Sequence, residues 1–362
     1  MEFHITKLKF LMKEQGLDAV LIASTANISY LTDFYGFSEI EREAYMIVTK
    51  KKAFLIVSPL HFEEAKKEAM NVTVLQRTSK IPLKKVIEEL TIKYNIRSCG
   101  FEAEIVSYAE YKYFNPLFIK FKSIDLTDLR IIKSTDEISK IKTACALGDK
   151  AFSYILATIQ NGMTEKDVSL KLELFIRKAG HQVSFPPVVA FNENAAIPHH
   201  LTGEKKLTKN SVVLIDFGAK ANGYCSDMTR VFFFGSATSE QKKAYQTTVE
   251  AQKKAIEYIE KQLKNNKKPI ATKVDGIARK YVTDHSYPPF NHSSHGIGLE
   301  VHEAPHISSS SEPLEEGVVF SIEPGIYLPG KFGVRIEDIF AIQNNKLIPL
   351  THSTKELIML SN

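Results

Sequence analysis

The stretch VVLIDFGAKANGYCSDMTRVFFFG, residues 212–235, decides the fold of the second half of the chain. Its two apolar runs, VVLIDF and TRVFFFG, predict strands, and Asn222-Gly223 between them is a strong signal for a two-residue hairpin turn. In such a hairpin, residues at odd sequence separation share a face of the sheet. Asp216 and Asp227 therefore project from one face, directly opposite or diagonal, and like charges this close repel unless a cation or a cationic side chain lies between them.

Three more residues that can bind a metal stand in contexts that restrict their motion. Glu323 ends the apolar run VVFSIE just before a Pro-Gly pair, which stops the strand. Glu337 lies in VRIEDIFAI, where the alternation of a strand places Arg335 and Glu337 on one face. His295 precedes Gly-Ile-Gly, which allows backbone to approach whatever the imidazole contacts.

The chain thus offers four carboxylates and one imidazole as candidate metal ligands: Asp216, Asp227, His295, Glu323 and Glu337. Hard oxygen ligands with a single nitrogen suit Mn, Co, Fe or Zn better than an ion that prefers thiolates. A two-metal hydrolytic site is the leading hypothesis. Each acid alone could be a solvated surface residue, because acids are mostly exposed. Arg335 could be a structural ion-pair partner of the acids.

The motifs NAAIPHH, HGIGLEVHE, SIEPGIY and GVRIED, together with the two-Asp hairpin and in this order, resemble those of the pita-bread metallopeptidases. That family includes methionine aminopeptidase, aminopeptidase P, prolidase and the metal-free creatinase. The similarity spans roughly residues 130 to 362 and extends more weakly to the N-terminal part. It implies two divalent ions, Mn or Co with Zn or Fe as alternatives. Asp227 and Glu337 would bridge them, Asp216 would complete one, and His295 with Glu323 the other.

The resemblance also implies roles around the substrate. Catalytic roles fall to His199, His302 and Glu323, and substrate-binding roles to His292 and Arg335. The family pattern selects the first histidine of the PHH motif over its neighbour, His200. The chain departs from the pattern at His292, which lies three residues before the ligand histidine, where relatives often have a histidine four residues before it and a glycine between.

Two domains are predicted, an α/β N-terminal domain at 1–127 and an α+β pita-bread catalytic domain with a curved antiparallel sheet at 128–362. In the first, KLKFLMKEQG and LKKVIEELTIKY predict helices, and DAVLIAS, YMIVT and AFLIVS predict strands. NISYLTDFYG resembles the N-terminal signature of prolidases and aminopeptidases P, a domain that methionine aminopeptidases generally lack. At the linker, Ser134 or Thr135 can cap a helix with Glu137 in its first turn.

Composition agrees with an enzyme of the cytoplasm. The 362 residues carry a net charge of +5 from scattered lysines, which indicates solvated surface and no nucleic-acid partner. No apolar run approaches the length of a membrane span, and the N-terminus lacks a secretory pattern. Three cysteines without metal-type spacing, Cys99, Cys145 and Cys225, fit a reducing compartment.

The sequence therefore predicts a dinuclear-metal peptidase that cleaves between an N-terminal residue and proline. Its substrates would be small peptides with proline in second position, with dipeptides preferred as in prolidase, and a homodimer is expected. The alternative is aminopeptidase P activity on longer peptides. A non-catalytic binding protein on this fold, or a creatinase-like amidinohydrolase, would be expected to lack metal ligands, and this chain has all five ligand positions filled.

Overall fold

The structure, a computed structural model, describes residues 2–38, 40–290, 292 and 294–361. Contacts within the chain divide it into two units, Met1–Arg130 and Ile131–Asn362. The boundary expected from the sequence, after residue 127, lies three residues before this division.

The first unit alternates helices and strands, as its sequence predicts, with these bounds: α1 Glu2–Glu14, β1 Ala19–Ile22, α2 Thr25–Thr32, β2 Ala44–Thr49, β3 Ala53–Val57, α3 Pro59–Glu68, β4 Thr73–Gln76, α4 Leu83–Tyr94, β5 Ser98–Phe101, α5 Tyr108–Phe114 and β6 Lys120–Ser123. The strands pair in the order β4-β3-β2-β1-β5-β6. Only the pairings of β2 with β1 and β3 are antiparallel. Strands β1 to β3 are buried along their whole length, which explains their continuous apolar sequences.

The second unit combines long helices with mostly antiparallel pairings. Its elements are α6 Thr135–Thr158, α7 Glu165–Lys178, β7 Gln182–Val183, β8 Val188–Phe191, β9 Ser211–Phe217, β10 Ala219–Ala221, β11 Tyr224–Cys225, β12 Met228–Phe234, α8 Ser239–Lys264, α9 Ala271–Asp284, β13 His295–Gly296, β14 Glu303–His306, β15 Val319–Ile322, β16 Gly325–Leu328, β17 Phe332–Arg335, β18 Asp338–Gln343, β19 Lys346–Pro349 and β20 Met359–Leu360. Short 3₁₀ turns lie at Asn115–Leu117 and Thr127–Leu129 in the first unit and at Asn192–Ala196 in the second.

Local capping signals explain where the helices begin. The Ser134 hydroxyl accepts from the Glu137 N–H, and the Glu137 carboxylate accepts from the Ser134 N–H, so Ser134 starts α6 as one of the two predicted caps. Helix α9 has no such signal. Its N-cap is Ile270, without a side-chain bond, and Gly276 interrupts its sequence, so the pattern did not predict it.

The first of two hairpins carries the two aspartates. Strands β9 and β12 pair antiparallel with Asp216 opposite Thr229. At the tip, Asn222 and Gly223 both have the positive φ of a type I′ turn, which confirms the predicted two-residue loop. Asp227 lies two residues before Thr229 and is therefore diagonal to Asp216 on the same face.

The second hairpin carries the two glutamates. Strand β15 pairs with β18, and β16 with β17, in one antiparallel register. Glu323 and Glu337 fall opposite each other in the gap between these two ladders. The sequence predicts one continuous strand through VRIEDIFAI, but β17 ends at Arg335 and β18 begins at Asp338. The ladder breaks because Pro324 has no N–H to donate and the N–H of Glu337 donates to the neighbouring hairpin.

Apolar packing on both faces holds the first hairpin in place. Val212 and Leu214 pack in a core cluster with α8 and α9, whereas Val213 and Ile215 pack in another with α6 and α7. Burial on both faces explains why these strands read as unbroken apolar runs. Asp216 lies on the same face of β9 as Val212 and Leu214, near the end of the strand, where the apolar core borders the cluster of candidate ligands.

Among the described residues, no helix is both long enough and apolar enough to cross a membrane.

Replacing either of two glycines in the second unit with alanine should change the free energy of unfolding, in opposite directions for the two positions. A Cβ at Gly218 would lie 1.8 Å from the Ser226 carbonyl oxygen, inside the aspartate hairpin. We expect Gly218→Ala to cost at least about 3 kcal/mol in the free energy of unfolding. A Cβ at Gly276, within α9, meets nothing within 4 Å, so Gly276→Ala should stabilise by about 0.5–1 kcal/mol. Denaturant titrations of both variants test the contrast, and a Gly218→Ala protein as stable as wild type would contradict the close approach.

Candidate metal centre

The five predicted ligand side chains converge in the second unit. Ligand atoms of Asp216, Asp227 and Glu337 lie within 4.8 Å of one another, and so do those of His295, Glu323 and Glu337. Glu337 belongs to both groups. All of these residues are buried except Asp216, which is half-buried. The two hairpins thus bring together acids that lie between 96 residues (Asp227 to Glu323) and 121 residues (Asp216 to Glu337) apart in sequence.

The orientation of His295 indicates what it faces. Its Nδ1 lies 3.0 Å from the Gly296 carbonyl oxygen, so the ring N–H donates there and Nε2 keeps its lone pair. Nε2 lies 3.4 Å from Glu323, 3.8 Å from Asp227 and 3.9 Å from Glu337, measured to carboxylate oxygens. Burial lowers the pKa of His295 to about 3, so the ring is neutral. A lone pair directed at three carboxylates is repulsive unless a cation lies between them, and this tautomer is the one that binds metals.

Burial and mutual repulsion also raise the proton affinity of the acids. Burial, followed by the charge of Glu337, raises the pKa of Asp227 and of Glu323 well above the usual range. Burial, followed by the charge of Asp216, raises the pKa of Glu337 to about 8. Without a bound cation these groups cannot all be ionised at neutral pH at low cost.

Unpaired oxygens provide a test of whether divalent ions fit this site. In the described part of the chain, no hydrogen bond reaches Oδ1 of Asp216, Oδ1 of Asp227 or Oε1 of Glu337, although all three atoms are buried. Buried acceptors without partners are costly, and metal ions are among the groups that satisfy them. Carboxylate oxygens with one imidazole nitrogen are also the donor set that first-row divalent ions accept. The residues therefore fit such ions.

Arg335 contacts the acids themselves. Its guanidinium donates to the Asp216 carboxylate, and also to the hydroxyls of Thr229 and Tyr327 at 2.8 Å each. The Thr229 hydroxyl in turn donates to Oε2 of Glu337 at 2.8 Å. Arg335 is only 4% exposed. This is the ion-pair role considered from the sequence, while substrate binding by Arg335 stays a prediction.

Sequence reasoning missed several supporting residues. Thr229 lies two residues after Asp227, and Ser321 two residues before Glu323, so each shares a face with a ligand. That spacing was a usable signal. The Ser321 hydroxyl donates to Oε1 of Glu323 at 2.7 Å. Tyr327, which lies within the quoted motif SIEPGIY, had no signal of its own.

Another buried group supports the backbone beneath the site. Arg230, 1% exposed, donates to the Glu337 carbonyl oxygen at 2.7 Å and to the Asp338 carboxylate. Burial alone would raise the pKa of Asp338, but Arg230 and Lys355 hold it below its usual value. Asp338 is therefore a permanent anion paired within the protein, unlike the neighbouring Glu337.

The predicted histidines lie around the ligand cluster. The His302 ring is perpendicular to that of His295, with centroids 4.3 Å apart, and its ligand atom lies within 4.8 Å of those of Asp227 and His295. Burial, together with the nearby His199, lowers the pKa of His302, so its ring is neutral. His292 is buried, with Nε2 directed at the Glu323 carbonyl oxygen, and burial lowers its pKa to about 3.

The two histidines of the PHH motif have different surroundings. His200 donates to Glu165 at 2.8 Å. Glu165 is fully buried and anchors the whole loop, accepting also from Phe191, Asn194 and Gly203. His199 is exposed, so it is the more accessible member of the pair.

Comparison with protein families finds two matches that together span nearly the whole chain. Residues 139–344 match metallopeptidase family M24, and residues 4–132 match the creatinase/prolidase N-terminal domain. The first match contains the complete set of candidate ligands.

Individual relatives match over their full length. A Xaa-Pro dipeptidase of Pyrococcus horikoshii is 36% identical over 361 residues, which is 98% of each chain. A solved Xaa-Pro dipeptidase from Bacillus anthracis superimposes with a TM-score of 0.89 at 32% identity, covering 99% of both chains. A solved X-Pro aminopeptidase from Thermotoga maritima gives 0.85 at 31% identity, covering 97% of this chain and 100% of that one.

The raised carboxyl pKa values predict an unusual pH dependence for the metal-free protein. The folded protein holds protons that the unfolded chain releases above its ordinary carboxyl pKa values. Below about pH 6.5 this effect is offset, because the unfolded chain protonates His292, His295 and His302, whose pKa values burial lowers in the folded protein. The free energy of unfolding should therefore fall as pH rises from about 6.5 to about 8. Binding of Mn²⁺ requires the ionised carboxylates, so its stabilising effect should grow over the same window. Unfolding midpoints with EDTA or MnCl₂ test this, with Glu337→Gln expected to flatten the EDTA curve. A wild-type midpoint in EDTA that does not change with pH would refute it.

Proposed function

This chain belongs to metallopeptidase family M24, and from that premise we propose that it hydrolyses the bond between an N-terminal residue and a following proline. The observation that carries the proposal is a complete cluster of four acids and one imidazole, three of whose buried carboxylate oxygens have no hydrogen-bond partner among the described residues. Full-length similarity to Xaa-Pro dipeptidases supports the choice of substrate. Loss of ligands would favour a binding protein or a metal-free amidinohydrolase, and this chain retains all five.

The family implies divalent metal ions, and the residues proposed to hold two of them are Asp216, Asp227, His295, Glu323 and Glu337. Mn or Co is the proposed metal, with Zn or Fe as alternatives. Glu337 is a member of both three-residue groups, which supports its assignment as a bridge, and Asp227 is proposed as the second bridge. When bound, such ions lower the pKa of water and polarise a substrate carbonyl.

Glu323 is the proposed proton acceptor. Its Oε1 accepts the Ser321 hydroxyl, whereas Oε2 lies 3.8 Å from Nε2 of His292, whose ring N–H donates to the backbone carbonyl of Glu323. Oε2 can therefore take a proton from the attacking water.

The two exposed histidines are proposed to act on the peptide. A neutral His302 can donate its ring N–H to the scissile carbonyl oxygen as negative charge develops there. His199 is proposed to hold the region around the scissile bond, since its neighbour His200 is tied to Glu165. The His292 side chain is only 7% exposed and lies beside Glu323, so its proposed contact with substrate would be made at the inner wall of the site.

Dipeptides are the proposed preference, as the dipeptidase relatives indicate. The similarity to an X-Pro aminopeptidase structure supports longer peptides as the alternative. The expected homodimer and cytoplasmic location stay predictions.

Steady-state kinetics on three peptides test the substrate. The Mn-loaded protein should show a higher kcat/KM for Ala-Pro than for Ala-Pro-Ala, and little activity on Met-Ala-Ser. A higher value for Ala-Pro-Ala would make the chain an aminopeptidase P. Preference for Met-Ala-Ser over both would overturn proline specificity.

Variants should separate metal binding from turnover. Asp227→Ala removes a proposed bridge and should lose both ions. His199→Ala and His302→Ala should keep two ions and lose about 10²–10³ in kcat, the usual effect of removing one donor to a developing oxyanion. His352→Ala, at an exposed histidine of the same unit, is the control and should match wild type. Metal analysis beside kinetics decides the assignment: loss of metal in His302→Ala would make His302 a ligand.

A further inference from the structure

A cavity of about 860 Å³ lies in the first unit, built entirely from residues of that unit. Its wall includes Ser58, which follows β3, and Arg77, which follows β4, and these two strands are parallel neighbours. In open α/β sheets, ligands bind in the crevice outside the carboxyl ends of parallel strands. The cavity occupies that place in the fold.

The cavity presents an arginine without a partner. Arg77 Nε is buried and finds no acceptor among the described residues, and none of their carboxylates lies within ion-pair distance of its guanidinium. Arg42, the other arginine of the wall, already has protein partners. It pairs with Glu110 at 3.1 Å and donates to the carbonyl oxygens of Ala23 and Ile105. A buried guanidinium nitrogen without an acceptor is costly unless a ligand supplies one.

Two helices add positive potential to the same cavity. Helix α3 begins beside Ser58 and helix α4 beside Pro82, and neither N-cap residue provides a side-chain hydrogen bond to the helix. Backbone N–H groups in the first turn of a helix favour an anion. The Lys84 N–H in the first turn of α4 already donates to the Tyr113 hydroxyl at 3.0 Å, so this helix contributes less than α3 to the attraction that Arg77 provides.

The charges and surfaces of the wall define the ligand class. Glu110 offsets Arg42, so Arg77 leaves one net positive charge, which matches a monoanion better than a dianion. Tyr45, Leu83 and Phe114 provide apolar and aromatic surface beside it. We propose that this cavity binds a small organic acid with one carboxylate and an apolar or aromatic body, independently of the peptidase site.

Calorimetric titration of the Mn-loaded full chain with phenylacetate and hexanoate tests the proposal. We expect one binding site in the first unit, with Arg77→Met weakening affinity at least about tenfold because a charge-assisted hydrogen bond is lost. Arg77→Lys, which keeps the charge, should retain part of the binding. Lys80→Met removes an exposed charge three residues away, outside the wall, and should bind as wild type does.

Three results would overturn the site or its chemistry. Absence of binding by wild type at about 10 mM of both acids rejects the site. Binding that survives Arg77→Met but is lost in His302→Ala places the acid in the peptidase site instead. Tighter binding of phenyl phosphate than of phenylacetate rejects the single-charge match. Unfolding midpoints of Arg77→Met and Arg77→Lys close to that of wild type ensure that lost affinity reflects the cavity.

Discussion

Uncompensated negative charge at one buried point is the constraint on which the second unit depends. Asp227, Glu323 and Glu337 are each less than a tenth exposed, and they share their surroundings with Asp216. The only cationic side chain that contacts this group in the described residues is Arg335. One guanidinium offsets one of four charges, so three remain uncompensated when all four acids are ionised. Binding of divalent cations at this point would offset them and would stabilise the folded state at neutral pH.

In two of these carboxylates, one oxygen accepts a hydrogen bond from the protein and the other does not. Asp216 gives one oxygen to Arg335 and leaves Oδ1 unpaired, and Glu337 gives one to Thr229 and leaves Oε1 unpaired. Asp216 and Glu337 are thus each held through one oxygen, and the other oxygen is left without a hydrogen bond. Orientation by neighbouring hydrogen bonds is what keeps a metal site in its geometry when no ion is bound. The buried hydroxyls and Arg335 are as much a part of the site as the acids.

Local rules predicted the aspartate hairpin, because a two-residue turn and alternation specify register over a short distance. They did not predict the break in VRIEDIFAI, since the apolar and polar residues from Val334 to Glu337 alternate as in a strand. The break depends on Pro324 across the ladder and on a backbone donor turned toward another hairpin, both tertiary facts. The roles of Thr229 and Tyr327 are tertiary in the same way. The sequence was sufficient to predict which acids are candidate ligands. The residues that orient those acids can be identified only from their contacts in the folded structure.

The two histidines proposed to act on the substrate share a structural arrangement that the sequence pattern does not reveal. His199 precedes His200, which is tied to the buried Glu165. His302 precedes Glu303, which pairs with the buried Lys133 at 2.9 Å. In both places an exposed histidine stands beside a residue held by a buried ion or hydrogen-bonded pair, so the backbone is rigid while the imidazole stays accessible. A histidine that must meet a developing charge gains from such support, because positioning lost at the reacting bond is lost in rate. His199 is therefore proposed in preference to His200, because the His200 ring is held by its hydrogen bond to Glu165.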